Sequence, residues 1–150
     1  MPAFFITASG TGIGKTFVAE YLLRSWRKAG RGVAVLKPVI SGFDDADEEE
    51  IAASDIGRLL NAAGAPLTRE FVSLVSPWRY AAPLSPDMAA AREGRSVPVD
   101  EVIAYCRDAI AAAEQADMSL AIEGIGGVMV PLDATRTVAD VIAALDIPAI

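Results

Sequence analysis

Apolar residues fall along this chain in short unbroken runs separated by stretches of helical spacing, an alternation that predicts strands following helices. Residues 4–7 (Phe4-Phe5-Ile6-Thr7) make the first run, and a glycine-rich turn follows it. Residues 17–29 then carry Val18, Leu22, Leu23 and Trp26 as an apolar side and Glu20, Arg24, Arg27 and Lys28 as a charged one. That is a helix packed on a sheet. Gly30-Arg31-Gly32 stops it, and residues 33–36 (Val-Ala-Val-Leu) read as a strand covered on both faces, ended by Lys37-Pro38.

Farther along, residues 44–50 hold six acids in seven positions, a solvated loop entering the next helix at the end where acids suit the dipole. Residues 51–63 are expected as one helix with Ile51, Ile56, Leu59 and Leu60 inward and Asp55 within it. Residues 71–75 read as a short strand or a buried loop. Residues 76–86, with three prolines in eleven positions, read as a shaped loop. Helices are expected over 87–92 and 100–114, the second with Val102, Ile103, Cys106 and Ile110 inward, then a strand over 118–122. Glu123-Gly124-Ile125-Gly126-Gly127 leaves that strand at its carboxyl end, where ligands gather in open parallel sheets. A last helix over 137–145 precedes Ile147-Pro148-Ala149-Ile150, the first residues of another strand. The fold class expected is α/β, a mostly parallel sheet with helices on both faces in one domain over 1–150, and the glycine-rich turn between the first strand and the first helix makes it P-loop-like.

Composition narrows the chemistry. The chain has 150 residues, 53% of them hydrophobic, and a net charge of −7, which argues against nucleic acid or an anionic membrane as partner. A single cysteine, Cys106, permits no internal disulfide, and with neither a leader pattern nor a long charge-free apolar run the expected compartment is the cytoplasm. With no histidine there is no Ser-His-Asp triad, Cys-His pair or His-ligated metal. Catalysis must rest on lysines, carboxylates, hydroxyls, backbone NH groups and a hard cation, which favours phosphoryl chemistry.

Residues 8–16 (Ala-Ser-Gly-Thr-Gly-Ile-Gly-Lys-Thr) supply the matching motif. A strand, a glycine-rich loop and a helix start point several NH groups and the positive helix end at one place, where polyphosphate can sit. Lys15 would reach the β- and γ-phosphates and Thr16 would give its hydroxyl to Mg2+. The strict GxxxxGK[ST] pattern wants glycine where this chain has Ser9, so the front half is modified. Lys37, just past the second strand, emerges on the same edge of a doubly wound sheet; a solvated strand-end lysine is the commoner fate of such a residue. Glu123 stands where P-loop proteins place a carboxylate for Mg2+, and with Thr16 and Asp55 it could complete an oxygen-only shell, although periodicity alone makes Asp55 an ordinary exposed helix residue.

Taken together the landmarks resemble dethiobiotin synthetases. Their modified loop ending Gly-Lys-Thr, the Lys-Pro-Val and Ser-Gly pairs, a Ser-Asp pair, a proline loop and a Glu-Gly-x-Gly-Gly turn are matched by Gly14-Lys15-Thr16, Lys37-Pro38-Val39, Ser41-Gly42, Ser54-Asp55, Tyr80 to Pro86, and Glu123 to Gly127 with Pro131-Leu132. The resemblance implies an ATP- and Mg2+-dependent ligase of biotin synthesis that closes a cyclic urea from 7,8-diaminononanoate and CO2 through a carbamate and a carbamic-phosphoric anhydride. It implies a homodimer, with Lys15 and Lys37 catalytic and Gly12, Ile13, Gly14, Lys15, Thr16 and Phe17 on the phosphates. Asp55, Glu123, Gly124, Ile125 and Gly126 would also meet ATP, while Ser41, Gly127 and Val128 would meet the other substrate. Thr16, Asp55 and Glu123 would surround Mg2+.

Three departures stand out. Gly10 and Gly12 replace acidic residues common in the family's loop, Asp87 stands where a histidine is common, and family chains continue well past residue 150, so a chain cut short is expected. Two other readings share the fold. A partition- or septum-site-type ATPase switch carries a signature lysine where this chain has Gly10, and a cobyrinate-type amide synthetase continues into a glutaminase domain.

Overall fold

A computed structural model describes residues 2–150. Three parallel strands form the central sheet: β1 (Ala3–Ile6) and β2 (Gly32–Leu36) flank β5 (Met118–Glu123). The helix α1 (Lys15–Lys28), entered from the glycine-rich loop, connects the first two, and two further short strands, β3 (Val39–Ser41) and β4 (Trp78–Tyr80), pair in parallel beyond Lys37-Pro38. Residues 148–150 add to the free edge of β1: Phe5 donates its amide to Pro148 O at 2.8 Å and Ile150 returns one to Phe5 O at 2.8 Å.

Side chains alternate across a strand, so each strand feeds two cores. Phe5, Leu36, Leu120 and Ile122 point to one face, covered by α6 (Val99–Gln115) and α7 (Val138–Leu145), while α5 (Pro86–Arg92) joins the same core by packing on β3 and β4. Ile6, Val35 and Ala121 point to the other, covered by α1, α2 (Glu48–Ala53), α3 (Asp55–Ala63) and α4 (Arg69–Val75). The buried stripe of α1 runs through Ala19 and Leu23, and Val18 turns outward. The parity has a direct consequence for chemistry. Leu36 is level with Ile122, so the next step of both strands sets Lys37 beside Glu123, on the face that carries α1 and α3.

The structure departs from the periodicity in three places. The single helix expected over 51–63 is two, because Ser54 is extended (φ −67°, ψ 166°) and its hydroxyl caps α3 by accepting from the Gly57 amide at 3.3 Å. Residues 71–75 belong to the helix α4 rather than to a strand or loop: Thr68 caps it, and Val72 and Val75 bury one side. The stretch 76–86 is not wholly loop, since Trp78–Tyr80 pairs with Val39–Ser41. Cys106 is fully buried, and burial pushes its thiol up to about 12. Among the described residues no helix is long and apolar enough to cross a membrane.

Candidate functional site

The chain leaving β1 turns through residues 7–14 and enters α1 at Gly14, whose φ of 104° and ψ of 16° lie where a side chain is strained. Among the described residues no side chain caps that helix end and no acid occupies its first turn, so its NH groups and dipole stay available to an anion. Lys15 folds back over the loop, with Nζ 3.2 Å from Gly10 O. Its pKa lies below the ordinary lysine value, first because of burial and then because Lys37 repels it; Glu123 and Asp55 offset this only partly.

Glu123 ends β5 at 1% exposure. Its Oε1 accepts from Lys37 Nζ at 2.7 Å and from Thr16 Oγ1 at 2.9 Å, which ties strand β5, the lysine after β2 and the start of α1 at one atom. Its Oε2 is buried without a hydrogen-bond partner among the described residues. Lys37, 4% exposed, also reaches Gly124 O at 3.4 Å and Asp55 Oδ2 at 3.6 Å. The backbone of Lys37 is held as well: its amide donates to Val75 O at 3.0 Å, and Ser76 Oγ donates to Lys37 O at 2.6 Å.

These groups line a cleft of about 530 Å3. Of the residues singled out from the sequence, Gly12, Gly14, Lys15, Thr16, Phe17, Lys37, Ser41, Asp55, Glu123, Ile125 and Gly126 form its wall. The Ser41 hydroxyl donates to Leu84 O at 2.6 Å, which leaves its oxygen free to accept. Ile13 turns its side chain to solvent, and Gly124, Gly127 and Val128 lie behind the wall. The last two brace the glycine-rich loop: Val128 donates to Ala8 O at 2.8 Å, and a Cβ on Gly127 would sit 2.7 Å from Ser9 O. The break at Ser54 makes Asp55 the first residue of α3, so it faces the cleft from a helix start instead of from mid-helix. Arg58, also on the wall, escaped the sequence reading. Its position one turn after Asp55 is a usable signal only once that helix start is known.

Thr16, Asp55 and Glu123 present a hydroxyl and two carboxylates, hard oxygen donors of the kind Mg2+ takes. Among the described residues no cluster of three or more His, Cys, Asp or Glu is placed for a metal, so a cation here would need phosphate oxygens and water as well. The unpartnered Glu123 Oε2 fits that arrangement, being a buried acceptor with nothing to accept from.

Comparison with known proteins agrees with this architecture. The chain is 49% identical over 148 residues to an ATP-dependent dethiobiotin synthetase BioD of Acidiphilium cryptum, covering 98% of this chain and 64% of the relative. It is 47% identical over 148 residues to one of the same name from Methylobacterium nodulans, covering 99% and 65%, and 46% identical over 149 residues to one from Caulobacter sp. K31, covering 99% and 61%. The chain thus spans somewhat under two thirds of the length of these relatives. A family model described as AAA domain matches residues 2–150, the glycine-rich loop and both walls of the cleft included, and the chain belongs to that family.

Proposed function

We propose that the chain carries the nucleotide and phosphoryl-transfer site of an ATP-dependent dethiobiotin synthetase, acting on 7,8-diaminononanoate, CO2 and MgATP. The observation that carries this reading is the hydrogen-bonded group Lys37–Glu123–Thr16 beside Lys15 in one cleft. An ordinary strand-end lysine would be solvated; this one is buried and aimed at the groups that also hold Thr16. The names and identities of the relatives support the same reading.

One neutral amine of the substrate adds to the carbon of CO2, a C=O bond opens to carry the negative charge, and the amine gives up one proton to water to leave a carbamate. A carbamate oxygen then forms a bond to the γ-phosphorus as the bond to the β-phosphate oxygen breaks, and ADP leaves. The neighbouring amine attacks the carbonyl carbon of the resulting anhydride, the carbon–oxygen bond to phosphate breaks, and the amine proton departs with the phosphate. Lys15, with the NH groups at the start of α1, would hold the phosphates and meet the charge on the transferring group. Lys37, fixed by Glu123 and by its clamped backbone, would hold the carbamate oxygen in line. Mg2+, held by Thr16, Asp55 and Glu123 with the phosphates, would supply further charge neutralisation. The proposal extends to a homodimer in the cytoplasm with small molecules as its partners, and the net charge of −7 supports the exclusion of nucleic acid and anionic membrane.

Labelled bicarbonate supplied with 7,8-diaminononanoate and MgATP tests this. Acid-stable label in a cyclic urea is expected, and Lys37→Ala and Lys15→Ala should each lower its rate by roughly a hundredfold or more. ATP hydrolysis that ignores the diamine would overturn the reading.

A further inference from the structure

Arg58 lies on α3 one turn past Asp55 and lines the same cleft as Lys15 and Lys37. Its Nη2 pairs with Oε2 of Glu20 on α1, and that is its one side-chain partner among the described residues. The hydrogens on Nε and Nη1 are therefore uncommitted on a residue of the cleft wall. Glu20 would not be stranded if Arg58 turned away, because Arg24 stands 3.7 Å from its other oxygen. Nor does the packing of α3 on α1 hang on this pair. Arg24 donates to Asn61 Oδ1 at 3.1 Å and Arg27 to Ala62 O at 3.2 Å, both joining the same helices.

The charges of the wall make a mobile cation useful. Lys37 is engaged by Glu123 and Asp55, and Lys15 is already turned onto its own loop. A triphosphate entering the cleft with its Mg2+ still presents several anionic oxygens, and both lysines already have partners. A guanidinium offers it a planar fork of donors, and a charge-assisted bond to phosphate is stronger than a half-exposed ion pair.

We propose that Arg58 is a third cationic ligand for the phosphoryl oxygens of the nucleotide, parked on Glu20 until the phosphate chain arrives and transferred to it on binding. This rests on the nucleotide reading above and adds to it a residue that the glycine-rich motif does not contain.

Calorimetric titration of the purified protein with MgATP, MgADP and AMP tests it through two variants with opposite expected signs. Arg58→Gln should weaken MgATP binding roughly fivefold to tenfold, the scale of one charge-assisted bond, and leave AMP unchanged. Glu20→Gln frees the guanidinium and should tighten MgATP binding about twofold or more. A pair that merely braced the two helices would give both variants the same sign, together with parallel losses in Tm, and that result overturns the proposal. So does an Arg58→Gln protein that binds MgATP like the wild type, an outcome that leaves the nucleotide reading standing; a wild type that ignores MgATP overturns both. If the Arg58→Gln defect appears only in saturation by the diamine substrate, with MgATP binding intact, the guanidinium serves a carboxylate and the proposal fails.

Discussion

In the loop after β1, a methyl group added at Gly10, Gly12 or Gly14 would meet no atom within 4 Å. In the loop after β5 the same addition would lie 2.9 Å from the Phe5 ring at Gly124, 2.7 Å from Val130 Cγ2 at Gly126 and 2.7 Å from Ser9 O at Gly127. Both loops read as glycine-rich turns at the carboxyl ends of strands, yet glycine serves different needs in them. The first loop keeps its glycines for backbone shape and for open space beside the cleft. The second keeps them because its backbone is crowded, at Gly124 by β1, at Gly126 by its own Val130 and at Gly127 by the first loop. One loop leaves space around its backbone, the other fills it.

Substitutions can break this contrast, and the largest effect is expected where the second loop begins. Glu123→Ala leaves the buried Lys37 ammonium with the Gly124 carbonyl at 3.4 Å and Asp55 at 3.6 Å, and should lower stability in denaturant by about 3 kcal/mol, the scale for a buried pair losing one member. A loss too small to measure would mean that Glu123 is not the anchor of the two loops. Gly127→Ala comes next: the Ser9 backbone has to move, and about 1–3 kcal/mol of stability should go with it. Gly10→Ala, with a negative φ and nothing near, should stay within about 0.5 kcal/mol of the parent. Equal damage at these two positions would erase the distinction between the loops.

The smallest effect lies in the pH dependence of the first loop. Folding depresses the Lys15 pKa below 10.5, so between the two values the unfolded chain binds more protons than the folded one. The strain of holding that charge is present at neutral pH and is relieved as pH rises through the depressed value. Stability of the parent should therefore climb relative to Lys15→Met across that alkaline window. A flat difference would show that Lys15 is as well solvated in the loop as in the unfolded chain.

The contrast also explains what could be read in advance. Strand, glycine loop and Lys-Thr lie contiguously, so residues 4–16 announce the first loop by themselves. The alternation of Phe5 and Ile6 across β1, or Leu120 and Ala121 across β5, is equally local. Register is not. That Lys37 meets Glu123 follows from Leu36 standing level with Ile122, a pairing between segments far apart in sequence. Asp55 is hidden for a different reason. Ser54 sits amid residues of good helical spacing, and only its extended backbone and the tight seat of Gly57 against the Ile51 and Ala52 carbonyls reveal a helix start. Phe71 and Val75 look like strand residues by composition, but Thr68 behind them supplies a helix cap and the core takes Val72 and Val75 from one helical side. Trp78–Tyr80 lies between prolines and becomes a strand because Val39–Ser41 offers it a free edge.

The clamp on the Lys37 backbone makes the lysine's position an indicator of distant order. Between β2 and β3 the chain has one residue outside either ladder before Pro38, and its amide and carbonyl are taken up by Val75 and Ser76 at the tail of α4. Hydrogen exchange at that amide requires the Val75 carbonyl to let go, which requires α4 to lift from the core. The rate at which a single deuteron enters at Lys37 would thus time the opening of a helix that does not line the cleft, and each such opening is a moment when the cleft loses its second lysine.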